Sequence, residues 1–187
     1  MPGSVDDMID DILVREGGFV DHPHDRGGPT NFGITQATLS GYLGKPVTRE
    51  KVQNLNVDLA RDIYETQYYI APRINNLPEP IQPFVFDCSI NHGPRRAIRF
   101  VQKVCNDAGF GPLIVDGVVG PATRLAADTA LKKMGDWFLA ALVEERRNFY
   151  KAIVRNDSSQ DVFMKGWMRR ADEFDPPNIR QQLGEIT

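Results

Sequence analysis

Five apolar residues near the start of the chain, Val5, Met8, Ile9, Ile12 and Leu13, recur at helical spacing and stop at Gly17-Gly18. Ser4 and Asp7 supply a start resembling a capping box, with acids in the first turn. The predicted helix therefore ends near Glu16. The next stretch, FVDHPHDRGGPTNFGIT, carries glycine and proline turn chemistry with no helical period, and it reads as a loop or a small irregular hairpin. A chain that begins this way must place a helix end against an irregular turn, and the rest has to pack around that junction.

Beyond it the sequence predicts short helices. Thr35 or Thr38 caps one, and Asn56 caps a run with Leu59, Ile63 and Ile70 inward. Ile81, Val85 and Cys88 follow the proline-rich NNLPEPIQP. After Gly93-Pro94 come Ile98, Val101 and Cys105, with Gly109 as the C′ residue. Further helices follow the loop FGPLIVDGVVGP, and no strand alternation lasts long. The expected fold is mainly α, with a small irregular β-hairpin after the first helix and a helical C-terminal lobe.

With 187 residues the chain can form one substantial core or two small ones. Its 41% hydrophobic and 25% charged composition lacks any apolar run near the roughly 18 residues of a membrane span, so a soluble protein without stable membrane association is expected. MPGSVDDMIDDIL lacks the basic and apolar regions of a secretory signal, which predicts a cytoplasmic start. Cys88 and Cys105 fall in helical stretches and should be reduced and buried. Residues 1–94 hold 7 Lys and Arg against 13 Asp and Glu, and residues 95–187 hold 15 against 12. A basic second half suits an anionic polymer such as a bacterial wall, although so small a difference is also what a solvated surface shows.

Glu16, at a helix end among apolar residues, has the setting of a general acid, because partial desolvation favours the protonated carboxyl. Asp25, beside Arg26 and a Gly-Gly turn, has the setting of an ionised carboxylate. If the segment between them doubles back, Asp25 and Thr30 face Glu16 and the Thr30 hydroxyl can hold a water. Asp21 is the alternative to Asp25. The residues also admit a purely local reading, in which EGGF is a helix C-cap and Asp25 and Thr30 are turn residues.

The string EGGFVDHPHDRGGPTNFGIT resembles the signature of glycoside hydrolase family 108, the N-acetylmuramidases of phage endolysins and some secretion-linked lysozymes. FVFDCSINHGPRRAIRFVQ resembles a second block of that family, and VDGVVGPATRLAA resembles the Asp-Gly-x-x-Gly-Pro-x-Thr turn of peptidoglycan-binding modules. The resemblance implies a lysozyme-like α+β fold with a catalytic lobe at 1–94 and a helical lobe at 95–187 that carries the wall-binding turn. It implies Glu16 as acid, Asp25 as second carboxylate and Thr30 as support, with Gly28, Asn91 and His92 as substrate contacts. Asn91-His92-Gly93 is equally well read as a helix C-cap. The implied activity is hydrolysis of the β-1,4 bond between N-acetylmuramic acid and N-acetylglucosamine. An endolysin would be a monomer that waits in the host cytoplasm, reaches the wall with a holin and lyses the cell.

Neither a cofactor nor a nucleic acid is expected. His22, His24 and His92 raise the alternative of a zinc amidase or endopeptidase, but no HExxH is present and the expected metal content is none. A lytic transglycosylase needs only the acid, so Asp25 separates the two readings. A non-catalytic wall-binding module is the remaining alternative. Trp137, Phe138, Tyr150 and Trp167 are expected in the core, and Arg146, Arg147, Arg169 and Arg170 on an exposed face.

Overall fold

The computed structural model describes residues 5–21 and 28–184, so Ser4, His22, His24, Asp25 and Arg26 lie outside the described residues. The chain forms two compact units, one up to Ala71 and one from Pro72 onward.

In the first unit, helix α1 (Val5–Glu16) buries Met8, Ile9 and Ile12. Gly17 ends it with a positive φ of 71°, its N–H reaching Leu13 O. Strands β1 (Thr30–Asn31) and β2 (Ile34–Thr35) then pair antiparallel, Thr30 opposite Thr35 and Asn31 opposite Ile34. This is the small hairpin expected after the first helix. Thr35 Oγ1 accepts from Thr38 N and starts α2 (Gln36–Leu43), Thr48 caps α3 (Arg49–Gln53), and Asn56 Oδ1 accepts from Leu59 N to start α4 (Val57–Ile63). From Tyr64 to Ile70 the helix widens into π geometry, and its residues pack against α1. Outside this core, Arg61 forms ion pairs with Asp6 and Asp10 on α1.

The second unit is helical: α5 (Gln82–His92), α6 (Pro94–Asp107), α7 (Pro121–Met134), α8 (Asp136–Asn156), α9 (Asp161–Asp172) and α10 (Pro177–Gly184). Helix α6 packs on α5, α7 and α8 through the expected stripe, Ile98, Val101 and Cys105 being fully or almost fully buried. Each such aliphatic side chain contributes roughly 1.5–3 kcal/mol on burial. Gly109, at φ 80°, is the residue after the α6 cap. The thiols of Cys88 and Cys105 are buried and unbonded. No helix among the described residues is long and apolar enough to cross a membrane.

Two expectations are corrected here. Trp137 is 48% exposed, since α8 presents it to solvent while the neighbouring Phe138 is fully buried. Arg146 is fully buried, and Arg147 and Arg170 are each only 20% exposed. The helix bearing Arg146 is enclosed by neighbours that provide a carboxylate, which a sequence pattern of paired arginines does not reveal.

The turn between α6 and α7 is organised by one amide. Gln102, 1% exposed, donates from Nε2 to Asp116 Oδ1 (2.8 Å), Val118 O (3.1 Å) and Thr123 Oγ1 (3.2 Å), and its Oε1 accepts from Gly117 N (2.8 Å). Gly117, at φ 77°, is required, because a Cβ there would lie 2.6 Å from Arg95 O.

Candidate functional site

Glu16 is the last residue of α1, half-buried, and its side chain stands over the turn of the hairpin. A Cβ added to Gly33 would meet Tyr64 Oη at 2.7 Å, Glu16 Oε2 at 2.9 Å and Glu16 Cβ at 3.0 Å, and Gly33 has a φ of 72°. Only glycine fits both the backbone and the space. Tyr64, the first residue of the π-helical segment and 2% exposed, donates from Oη to Phe32 O at 2.6 Å. Phe32 has a φ of 51°, a left-handed conformation that non-glycine residues adopt at a cost, and the phenol hydrogen bond helps to hold it there. Acid, turn and phenol thus form one tightly fitted group.

The hairpin is anchored from below. Asn31, 5% exposed, donates from Nδ2 to Val52 O (3.2 Å) and Gln53 O (2.9 Å) at the end of α3. Val20 and Thr30 exchange backbone hydrogen bonds of 2.8 Å, which pairs the residue after Phe19 with the start of β1. Thr30 is half-buried on β1, and Gly28 adopts a φ of 71° with open space where a Cβ would stand. Asp21, the alternative second carboxylate, is in an ion pair with Arg49, whose guanidinium also lies over the Phe19 ring. The structure therefore brings Glu16 together with Gly33 and Tyr64. Sequence reasoning missed Tyr64 because it sits far down the chain, in a helix whose π widening has no local sequence signal.

Asn91 and His92 close α5 in the second unit. Asn91 is exposed and its Oδ1 accepts from Tyr150 Oη at 3.3 Å. The His92 ring packs edge-on against Phe100, Phe149 and Tyr150, and its Nε2 accepts from Arg146 Nε at 3.3 Å. Burial, reinforced by the Arg146 charge, lowers the His92 pKa to about 3, so the ring is neutral at ordinary pH.

Beneath this pair lies a buried charge cluster. Arg146 Nη1 is 2.8 Å from Asp87 Oδ2 and its Nε is 2.8 Å from Tyr150 Oη. Arg170 reaches Asp87 Oδ1 from Nη2 at 2.9 Å. Burial alone would raise the Asp87 pKa, but the Arg146 charge and the Arg170 hydrogen bond together bring it below the usual carboxylate value. His92 is thereby a fixed acceptor within the packing, while the Asn91 amide is presented at the surface. No group of three His, Cys, Asp or Glu side chains among the described residues could hold a metal ion.

An acid at a helix end over a glycine-requiring turn, followed by a helical unit, accompanies family matches that place the chain among the glycoside hydrolases. The family model of glycosyl hydrolase 108 matches residues 9–93, and the model described as "Predicted Peptidoglycan domain" matches residues 96–172. Among solved structures, the chain is similar to the structure of Brucella abortus SagA, with 32% identity, a TM-score of 0.75 and coverage of 91% of each chain. No curated protein matches. The chain belongs to the glycosyl hydrolase 108 family, and its second part to the family of peptidoglycan domains. Packing and sequence divide it differently, because α5 lies within the first family match yet packs on α6 of the second unit.

Proposed function

We propose that this peptidoglycan-directed glycoside hydrolase is an N-acetylmuramidase of the endolysin type, with Glu16 as general acid. The observation that carries the reading is the placement of Glu16 against Gly33 and Tyr64, which fixes a carboxyl group at the end of α1. A fixed, half-buried carboxylic acid is what protonation of a glycosidic oxygen requires. Glu16 gives its proton to O4 of N-acetylglucosamine as the bond to C1 of N-acetylmuramic acid breaks. Asp25 steadies the oxocarbenium-like state or takes a proton from the incoming water, which Thr30 helps to hold. Gly28 and Asn91 contact the glycan, with His92 fixing the end of α5 that bears Asn91.

In this reading the protein acts on the wall as a monomer, released from the host cytoplasm with a holin. The test is mass spectrometry of fragments released from purified peptidoglycan, with Glu16→Gln as the matched control. Reducing muramic acid ends that disappear with Glu16→Gln support the reading. Anhydro-muramic ends would instead make the protein a transglycosylase, and freed peptides with intact glycan an amidase.

A further inference from the structure

We propose that a cavity beside the Gln102-anchored turn binds the stem peptides of peptidoglycan, with Arg73 and Arg124 taking a peptide carboxylate. The inference rests on peptidoglycan as the substrate and adds a second contact to it, within the unit that follows Pro72. The cavity has a volume of about 430 Å³, and its lining includes Arg73, Asn76, Val119, Pro121, Arg124 and Asp128. That size lies within the roughly 300–1,000 Å³ of ordinary ligand sites.

Three observations point to the ligand. First, the turn that leads into the cavity wall is held in place: Gln102 hydrogen-bonds Asp116, Gly117, Val118 and Thr123 at once, and the adjoining Val119, which lines the cavity, is only 3% exposed. The Asp-Gly-x-x-Gly-Pro-x-Thr motif thus ends as one face of a hollow. Second, the guanidiniums are available. Arg73 is exposed and its side chain has no partner among the described residues, while Arg124 is 64% exposed and only loosely paired with Asp128 at 3.8 Å. Planar guanidinium groups suit carboxylates, which they bind through paired hydrogen bonds. Third, the charges are mixed and interleaved with apolar walls: Asp128 can face an ammonium, and Val119 and Pro121 a small aliphatic side chain. In a wall polymer the sugar rings are uncharged, and the peptide stems combine carboxylate, ammonium and small aliphatic groups. The cavity also joins residues from both family matches, Arg73 and Asn76 from the first and Val119 to Asp128 from the second, which makes it a property of the whole chain.

The experiment is co-sedimentation of the full chain, carrying Glu16→Gln so that the substrate survives, with intact sacculi, alone and with excess free stem peptide as competitor. Arg73→Gln with Arg124→Gln should weaken binding to intact sacculi about tenfold, the scale of losing charge-assisted hydrogen bonds. The matched pair Lys133→Gln with Arg155→Gln, removing the same charge elsewhere, should change it less than about twofold. Arg124→Gln alone, an exposed change that leaves the left-handed Arg73 backbone untouched, should give about threefold and so reads the site even if the double variant is destabilised. Excess free stem peptide should lower binding of the parent chain to intact sacculi to the level of the double variant. Binding unchanged by excess free stem peptide, or equal losses in the two charge pairs, would overturn the proposal. Since binding is read without cleavage, either result leaves the identity of the cleaved bond a separate question.

Discussion

Glu16 and Gly33 occupy adjoining space so closely that a methyl group on the glycine would stand 2.9 Å from the carboxyl Oε2. Gly33→Ala should therefore displace the acid while also straining a backbone at φ 72°. A displacement near 1 Å at a catalytic group costs on the order of 100-fold in rate. Assay of reducing ends, beside a thermal melt showing a folded protein, checks this; full activity in Gly33→Ala would mean that the position of Glu16 does not matter.

Tyr64→Phe removes the phenol hydroxyl and with it the hydrogen bond to Phe32 O. About 1 kcal/mol of stability should be lost. If the phenol positions the turn beneath Glu16, kcat should also fall while KM stays near its parent value. A change confined to the melting temperature would restrict Tyr64 to a packing role.

Acid should destabilise the second unit early. The folded pKa of His92, about 3, lies below its ordinary 6.5, so as pH falls the unfolded chain takes up the proton first. Stability is intact above about pH 6.5 and declines progressively toward about pH 3. Asp87, also depressed, adds a loss that begins only near its ordinary value of 3.8. His92→Gln keeps an acceptor for Arg146, and its melting temperature should change little between pH 6.5 and 4.5, where the parent falls. Parallel curves for the two proteins would refute this assignment.

Arg146→Ala should be far more damaging than loss of a surface arginine. It takes a guanidinium partner from the buried Asp87 and a donor from both His92 and Tyr150. Breaking a buried pair in this way costs about 3–5 kcal/mol. Urea unfolding measures it, and Arg155→Ala, at an exposed position, should lose under about 0.5 kcal/mol.

The residues that could be read in advance are those whose neighbours in space are also neighbours in sequence. Thr35, Asn56 and Gly109 act within one turn of where they stand, and their roles as caps follow from side-chain chemistry. Glu16 was legible because the glycines after it announce the helix end. Tyr64 and Arg146 were not, since the first matters through a turn formed 32 residues earlier and the second through Asp87 on another helix. Trp137 differs from Phe138 only by its side of α8, and the position of that side is fixed by tertiary packing.

The two cysteines carry a consequence of another kind. Burial pushes the Cys88 thiol up to about 12 and the Cys105 thiol up to about 11, so hardly any thiolate exists at neutral pH. Thiol exchange and oxidation both begin from the thiolate, and neither sulfur is joined to anything in the fold. The folded state is consequently indifferent to redox potential: it needs no oxidant to mature and loses nothing to a reductant, and it can pass from reducing to oxidising surroundings without altering a covalent bond.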